Sequence, residues 1–116
     1  MIKFSGINIS SKEPKRLALF YRDVLGWKMF GDSLDFDGVS FEGRDDNAIV
    51  WIWDENKHGK MNEGVVYFQF DCPDPDAMYH ELLDKGVKLD PPRTASWGGK
   101  ELFVKDPDGN KILMVE

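Results

Sequence analysis

Few side chains in this sequence are equipped for catalysis. The chain has two histidines, His58 and His80, and one cysteine, Cys72. A single cysteine excludes an intramolecular disulfide and a zinc site built from several cysteines, and we expect Cys72 to be a small buried apolar side chain. His58 lies in a polar segment that is predicted to be a loop, and His80 lies off the apolar stripe of a predicted helix. Because neither histidine is placed beside a serine or cysteine nucleophile, a hydrolytic triad is not expected.

The charge balance restricts the partners that the protein can bind. There are 15 Lys and Arg residues against 21 Asp and Glu residues, a net charge of −6 without a basic cluster. Nucleic-acid binding needs a basic surface that displaces counterions, so it is not expected, whereas a cationic small ligand is favoured. No apolar run reaches the roughly 18 residues of a membrane span, and residues 1–4 do not begin a signal peptide. We therefore expect a cytoplasmic protein without a membrane partner.

Two similar segments open the two halves of the chain. Residues 3–10 and 65–72 are rich in β-branched and aromatic side chains, which predicts strands. An acidic residue and a proline follow each strand, at Pro14 and Pro75, and this pair is typical of a helix start. Apolar residues at helical spacing come next, and a glycine ends each predicted helix. The first stripe comprises Leu17, Phe20, Tyr21, Val24 and Leu25, the second comprises Met78, Leu82 and Leu83, and the stops are Gly26 and Gly86.

These landmarks recur at a nearly constant distance, which indicates a duplicated unit. Pro14 and Pro75 are 61 residues apart, and Gly26 and Gly86 are 60 apart. After each helix come three short apolar stretches, near residues 27–31, 36–42 and 47–54, and again near 87–90, 100–105 and 110–115. The sequence therefore predicts one domain, 1–116, made of two βαβββ modules at about 1–56 and 64–116. In this α+β fold the modules form a curved mixed eight-stranded sheet, with helices on its convex face and a cleft opposite.

Two segments resemble the hallmarks of a known superfamily. They are the helix end Phe20 to Trp27, with the sequence FYRDVLGW, and the turn Asp106 to Asn110, with the sequence DPDGN. Both are similar to segments of the vicinal oxygen chelate superfamily, which includes glyoxalases, extradiol dioxygenases and bleomycin resistance proteins. The resemblance covers nearly the whole chain and implies the glyoxalase/bleomycin resistance/dioxygenase fold. The residues themselves predict structural roles, namely a helix that ends at a glycine and a turn between two strands.

The resemblance also implies where a metal binds in an enzyme of this superfamily. Such enzymes hold a divalent metal with His, Gln or Glu side chains from the first and last strand of each module. Counted from the hallmark segments, the matching positions are Gly6, Val50, Tyr67 and Leu113. Three of these side chains cannot bind a metal, and one tyrosine alone does not make a site. We therefore expect no metal, no other cofactor and no catalytic residue.

The pattern is most similar to the bleomycin resistance branch. Its members carry Trp-Gly, two further residues and then Glu ahead of the Asp-Pro turn, and Trp97-Gly98 precedes Glu101 here in the same way. That branch lacks the metal ligands and binds a cationic drug, without chemistry, in crevices between two subunits. The resemblance thus implies a homodimer, a small-molecule ligand and a role in antibiotic resistance.

Aromatic residues, which make up 13% of the chain and include four tryptophans, supply the candidate ligand contacts. Trp97 lies in a predicted glycine-containing loop over the cleft, and Trp53 lies at a strand end, whereas Trp27 and Trp51 are expected in the core. Tyr67 and Gln69 alternate on one strand face, as Gly6 and Asn8 do. The candidate ligand-binding residues are therefore Asn8, Trp53, Tyr67, Gln69, Trp97 and Glu101.

These side chains suit an aromatic or cationic organic molecule, through stacking, cation–π attraction and a few hydrogen bonds. The favoured hypothesis is a non-catalytic, metal-free binding protein of the bleomycin-resistance-like type that sequesters or senses a small molecule. One alternative is a metal-dependent glyoxalase-type lyase or dioxygenase with unusual ligands. Another is a partner-binding protein without a small-molecule pocket. The metal content of purified protein separates the first two hypotheses.

Overall fold

Both long helices begin at a proline, as predicted. The computed structural model describes residues 4–30, 35–42 and 49–116. Its helices are α1 (Pro14–Leu19), α2 (Glu55–His58) and α3 (Pro75–Asp84). The Asp74 side chain accepts a hydrogen bond of 3.0 Å from the backbone N–H of Ala77, which caps the first turn of α3. Glu13 makes no such cap on α1, and its own N–H donates to the Ser11 hydroxyl at 3.0 Å.

Glycine ends both helices, which confirms the predicted stops. Helix α1 continues into a π-helical turn, Phe20–Val24, in which the N–H of Leu25 donates to the carbonyl of Phe20 at 3.1 Å. Gly26 then takes the left-handed conformation, with φ of +71°. The chain can therefore turn, and the N–H of Trp27 donates to the carbonyl of Tyr21 at 2.8 Å.

The apolar stripes of the helices are confirmed except at one residue. Leu17, Tyr21 and Leu82 are fully buried. Leu83 was expected to be buried beside Leu82, but it is 41% exposed. Successive residues of an α-helix point about 100° apart, so Leu83 turns toward solvent when Leu82 faces the sheet.

The chain divides into two compact units, Met1–Gly64 and Val65–Glu116. The strands of the first unit are β1 (Gly6–Ser11), β2 (Met29–Phe30), β3 (Val39–Glu42) and β4 (Ile49–Asp54). Their order in the sheet is β1-β4-β3-β2, with β1 and β4 parallel and the other pairs antiparallel. Helix α1 contacts β1 and β4.

The second unit repeats this topology. Its strands are β5 (Tyr67–Asp71), β6 (Arg93–Thr94), β7 (Lys100–Lys105) and β8 (Lys111–Val115). Their order is β5-β8-β7-β6, with β5 and β8 parallel and the other pairs antiparallel. The predicted α+β class, the two βαβββ modules and their eight mixed strands are thus confirmed.

Strand β6 lies later in the chain than predicted. A strand was expected near residues 87–90, whereas the paired residues are Arg93 and Thr94. Pro91 and Pro92 precede them and have no N–H to donate to a ladder. The turn at the other end is closed by a 2.8 Å hydrogen bond from the N–H of Ala95 to the carbonyl of Gly99, and this bond fixes the pairing.

The polar segment after β4 also differs from its prediction as a loop. It contains helix α2, which is capped by a 2.9 Å hydrogen bond from the N–H of Asn56 to the Asp54 carboxylate. Residues 3, 31, 47 and 48, at the ends of predicted strands, lie outside the described residues. Across the ranges that the structure describes, no helix has the length and apolar character needed to cross a membrane.

One face of each sheet is buried. In the first unit the buried strand residues are Ile9, Val39, Phe41, Val50 and Ile52, and in the second they are Phe68, Leu102, Val104, Ile112 and Met114. Tyr21 of the helical segment contacts Phe41 with ring centroids 6.1 Å apart, so this face packs on the helix. Cys72 is buried as expected, and burial raises the pKa of its thiol.

The turn between β7 and β8 has the structural role that the sequence predicts. The Asp106 carboxylate accepts hydrogen bonds of 2.9 Å from the N–H groups of Asp108 and Asn110. The side-chain oxygen of Asn110 accepts a 2.9 Å bond from the N–H of Val66, just before β5. This buried pair therefore fixes the start of β5 beside the start of β8.

Candidate functional site

The face of the first sheet opposite α1, here called the first open face, is aromatic. Asn8 lies opposite Trp51 in the β1–β4 pairing, and Ser40 lies opposite Trp51 in the β3–β4 pairing. Side chains alternate along a strand, so Trp53 shares this face with Trp51. Phe30, opposite Ser40, is 43% exposed. The first open face thus combines three aromatic rings with amide and hydroxyl groups.

Trp53 is held by contacts on several sides. Its indole N–H donates a 2.8 Å hydrogen bond to the side-chain oxygen of Asn8. A Cβ atom at Gly38 would lie 2.8 Å from the indole ring, so the ring rests on backbone that has no side chain. The ring of His58 meets the indole edge-on, with centroids 5.5 Å apart. Trp53 is therefore a positioned aromatic surface.

His58 supports this surface through Asp37. Its Nε2 atom lies 2.8 Å from the Asp37 carboxylate, which also accepts a 3.0 Å hydrogen bond from the N–H of Asp54. The pKa of Asp37 is therefore below its usual range. The hydrogen bond from the Asp54 N–H is the larger cause, and the hydrogen bond with His58 is the second. His58 is itself exposed, and it also links α2 to the segment before β3. His80 is exposed, as expected.

The structure corrects the predicted strand register at Val50 and Trp51. Val50 was placed on the open face, but it is buried and pairs with Ile7. Trp51 was expected in the core, but it lies on the open face, where a Cβ atom at Gly6 would be 2.9 Å from its ring. The reason is the spacing between the units: the residue of β4 that matches Leu113 is 62 positions earlier, not 63.

The second open face, opposite α3, carries its side chains in three rows across β7, β8 and β5. The pairings give the rows Lys105–Lys111–Tyr67, Phe103–Leu113–Gln69 and Glu101–Val115–Asp71, with Arg93 of β6 extending the last row. One end of this face is therefore cationic, the middle is apolar with one amide, and the other end carries both signs of charge.

The mixed-charge end is already paired within the chain. The guanidinium of Arg93 lies 4.5 Å from the centroid of the Phe103 ring, and its Nε atom is 3.6 Å from the Glu101 carboxylate. The Glu101 side chain is only 15% exposed. Arg93 thus occupies the positions over the ring and beside the acid that a ligand cation would seek.

Trp97 lies in the turn between β6 and β7 and is 61% exposed. Its ring lies on Gly99, where a Cβ atom would overlap the indole. Together with Arg93, Thr94 and Glu101, the indole lines a pocket of about 450 Å³. The turn therefore presents Trp97 beside Glu101, as the sequence pattern suggested.

The six predicted ligand-binding residues fall into groups. Asn8 and Trp53 are hydrogen-bonded on the first open face. Tyr67 and Gln69 alternate on β5 of the second open face, and Trp97 and Glu101 share a pocket. Tyr67 is 56% exposed, so its ring is presented to solvent. Ligand contact by these residues stays a prediction.

Sequence reasoning missed the two lysines of the second open face. Lys105 and Lys111 flank the five-residue turn symmetrically, and a hairpin with that turn places them opposite each other. Two features of the sequence could have predicted this pair of lysines: their symmetry about the turn and the position of Tyr67 at the start of the neighbouring strand. With Tyr67, these lysines line a pocket of about 380 Å³.

The donor set does not fit a divalent metal. With the corrected register, Gly6, Trp51, Tyr67 and Leu113 occupy the positions that the superfamily resemblance assigns to metal ligands. The nearby Asn8 oxygen already accepts the Trp53 N–H. Within residues 4–30, 35–42 and 49–116, no three His, Cys, Asp or Glu side chains are grouped to hold a metal ion. No step through a metal follows from these residues, and a metal-free protein remains a prediction.

Sequence comparison identifies the family. The model of the Glyoxalase/Bleomycin resistance protein/Dioxygenase superfamily matches residues 3–114, so the chain belongs to this superfamily. The resemblance of the two hallmark segments is thereby confirmed. No curated protein sequence matches the chain.

Solved structures show the same fold. A member of this superfamily from Sphaerobacter thermophilus DSM 20745 has a TM-score of 0.76 and 21% identity, covering 100% of this chain and 98% of that one. A lactoylglutathione lyase from Agrobacterium tumefaciens has a TM-score of 0.77 and 16% identity, covering 100% and 94%. TnmS3, an antibiotic binding protein from Streptomyces sp. CB03234, has a TM-score of 0.77 and 20% identity, covering 99% and 95%. At these identities the likeness establishes the fold alone.

Proposed function

We propose that this protein binds an aromatic small molecule and performs no metal-dependent chemistry. The observation that carries the proposal is the composition of the two open faces. The positions where a metal enzyme of this superfamily needs imidazole or carboxylate groups are occupied by Gly6, Trp51, Tyr67 and Leu113. Neutral amides, Asn8 and Gln69, lie beside them. The fold likeness to an antibiotic binding protein supports a non-catalytic role, in which the protein sequesters or senses its ligand.

The contacts favour recognition of an aromatic ring over recognition of a positive charge on the ligand. Glu101 is paired with Arg93, and the same guanidinium covers Phe103. On the first unit, Glu42 lies 3.4 Å from the Lys28 ammonium. A cationic ligand would have to displace these partners, whereas a flat ring can stack on Trp53 or Trp97 without displacing a charge.

On the first unit the proposed ligand contacts are Asn8, Trp53 and Trp51, which the corrected register adds. On the second unit they are Tyr67, Gln69, Trp97 and Glu101. Within each unit, amide or hydroxyl groups would supply hydrogen bonds and an indole would supply stacking surface. Glu101 and Arg93 would form the polar end of the pocket beside Trp97.

Tryptophan fluorescence tests this function. Purified protein is titrated with flat aromatic compounds, starting with cationic proflavine and neutral 2-naphthylmethanol. We expect saturable binding that Trp53→Ala or Trp97→Ala weakens by about 2- to 30-fold, the range of a lost stacking or cation–π contact. Trp27→Phe, a change on the helix side of the first sheet, is the matched control and should leave binding unchanged. Absence of saturable binding across the panel would overturn the proposal.

Metal analysis separates the proposal from the enzyme alternative. The protein is incubated with zinc, nickel, manganese and iron, desalted and measured for bound metal. We expect no stoichiometric metal, because the four positions that the superfamily resemblance assigns to metal ligands offer no carboxylate or imidazole. About one metal per chain that survives desalting would instead support a glyoxalase-type lyase or a dioxygenase with unusual ligands.

We also propose that the protein is a cytoplasmic homodimer. Small chains expose much apolar surface, and Phe4, Val65, Tyr67 and Trp97 are each more than half exposed. Light scattering should give about twice the chain mass of 13.3 kDa. A value equal to the chain mass at micromolar concentration would contradict the dimer.

A further inference from the structure

A pocket lies at the cationic end of the second open face. Its volume is about 380 Å³, within the range of small-molecule sites. Three lysines line it, Lys88, Lys105 and Lys111, together with one acid, Asp90. The remaining lining residues are Tyr67, Leu89, Phe103 and Val104. The pocket thus has a local charge of +2 in a chain whose net charge is −6.

The lysines are arranged by the sheet and not by chance proximity of long side chains. Lys105 lies opposite Lys111 on β7 and β8, and Lys111 lies opposite Tyr67 on β5. Neighbouring strands are about 4.8 Å apart, so the two lysines and the tyrosine start side by side at one end of the open face. Like charges placed directly opposite each other destabilise a sheet. An anion between them would remove that repulsion.

The backbone beneath this row is fixed. The N–H of Lys111 donates a 3.0 Å hydrogen bond to the carbonyl of Val66, and the N–H of Val66 donates to the Asn110 side chain at 2.9 Å. The Asp106–Asn110 pair that holds this turn is buried. The lysine side chains therefore start from a fixed backbone, and bringing their ammonium groups to one anion would cost little backbone entropy.

The lysines also differ from the other charged groups of this face. Within the described part of the chain, no ion pair is found for Lys88, Lys105 or Lys111, whereas Arg93 at the opposite end is paired with Glu101. Phe103 and Leu89 form an apolar wall of the pocket next to the lysines. An aromatic or apolar body against that wall would place an attached acid group at the lysines.

From this geometry we propose that the second open face binds an organic anion, an aromatic or apolar molecule with a carboxylate or phosphate group. The oxygens of the acid group accept hydrogen bonds from Lys105, Lys111 and the Tyr67 hydroxyl, and the body of the molecule packs on Phe103 and Leu89. This inference rests on the proposed binding function and specifies the charge of the ligand. Lys105 and Lys111 would then bind the ligand, whereas the aromatic contacts alone give these two residues no role.

Calorimetric titration with matched probes tests the inference. The probes are 2-naphthoate, 2-naphthyl phosphate and the neutral 2-naphthylmethanol, which share one ring system. We expect at least one of the two anions to bind about 10-fold tighter than the alcohol, and the stronger of them identifies the acid group. The preference should shrink as sodium chloride rises from 50 to 500 mM, because partly exposed charges are screened.

Charge variants test whether the lysines cause the preference for anionic probes. Lys105→Gln and Lys111→Gln should each weaken binding of the preferred anion by about 3- to 10-fold. Asp90→Asn should strengthen it, because this change removes the opposing carboxylate of the pocket. Lys60→Gln, a neutralised lysine of the first unit, is the control for net charge and should have no effect. Thermal melts of each variant verify that it is folded.

Three results would overturn the inference. Equal affinity for the anions and the alcohol would exclude the acid group and leave the proposed binding of aromatic molecules intact. Affinity losses in Lys60→Gln as large as those in Lys111→Gln would show that net charge, and not this pocket, attracts the anions. If none of the three naphthyl probes binds, the anion site is excluded, and the separate fluorescence screen still decides the binding function.

Discussion

The indole N–H of Trp53 donates a hydrogen bond of 2.8 Å to the side-chain oxygen of Asn8. An indole N–H can only donate, so the amide oxygen must face the ring and the amide NH2 group must turn away from it. One contact thus orients both predicted ligand-binding residues of the first unit. A ligand at this place meets an indole surface beside an amide donor.

The Trp53–Asn8 pair should show energetic coupling. Asn8→Ala removes the acceptor, and Trp53→Phe removes the donor while it keeps an aromatic ring. A double-mutant cycle by urea denaturation should give a coupling free energy of about 0.5–1.5 kcal/mol, the value of one intramolecular hydrogen bond. Strictly additive effects would show that the bond contributes nothing to folding.

Gly38 should tolerate substitution less well than Gly64. Both have a positive φ, +76° and +71°, but only Gly38 lies against the Trp53 ring. Alanine costs roughly 1–2 kcal/mol at either position because of the positive φ. Gly38→Ala should cost about 1 kcal/mol more, since its Cβ would push the indole away. Equal losses in thermal melts of the two variants would be evidence against this contact.

Trp27 should matter for stability and Trp97 should not. Trp27 stacks on Phe41 with centroids 5.1 Å apart, and its N–H donates a 2.6 Å bond to the carbonyl of Glu42. Trp27→Ala should therefore lower the unfolding free energy by about 3 kcal/mol, whereas the exposed Trp97→Ala should lower it by less than about 1 kcal/mol. The reverse order in chemical denaturation would contradict the assignment of Trp27 to the core.

Asp37 should make the first unit sensitive to acid. Its pKa is lowered in the folded protein, so its ionised form stabilises the fold above about pH 4, and this contribution is lost as the pH falls through the folded value. The melting temperature of the wild type should therefore fall more steeply below about pH 4 than that of Asp37→Asn. Asp84→Asn, on exposed helix surface, is the control and should follow the wild type. Identical pH profiles for the wild type and Asp37→Asn would refute the prediction.

Asn110 should be required for a stable turn. Asn110→Ala leaves the N–H of Val66 without its acceptor and removes the 2.7 Å hydrogen bond from the Asn110 amide to the buried Asp106 carboxylate, which together should cost about 2 kcal/mol. Asp108→Ala changes an exposed side chain of the same turn and should be nearly neutral. Urea denaturation compares the two variants. A neutral Asn110→Ala would mean that the hydrogen bonds of the turn do not hold β5 in place.

The helices could be predicted from sequence because their signals are local. A proline at the first helical position and a glycine after the last turn act within a few residues, and Pro14, Pro75, Gly26 and Gly86 all do so. The repeat of these signals then gave the βαβββ order of both units. The bounds of β6 were missed because the pairing across its turn, and not its own composition, determines them.

The strand register of β4 could not be predicted in the same way. Every residue from Ala48 to Trp53 is apolar, so alternation gives no information on which side chains face the helix. The register then depended on the spacing between the units, which is 62 for β4 and β8. Contacts such as that of His58 with Asp37 join residues far apart in sequence and arise only when the elements pack together.

Three of the four tryptophans rest on a glycine, with Trp51 on Gly6, Trp53 on Gly38 and Trp97 on Gly99. This arrangement restricts the order in which substitutions can accumulate at the glycine and tryptophan positions. At Gly38 and Gly99 a larger residue cannot replace the glycine while the indole is present, but loss of the indole opens the position to any side chain its backbone allows. Gly6 stays closed in either case, because a Cβ atom there would also overlap the carbonyl oxygen of Ile49. Mutational history at the Trp53–Gly38 and Trp97–Gly99 pairs is therefore directional, and descendants that have lost the ring accumulate changes that prevent its return.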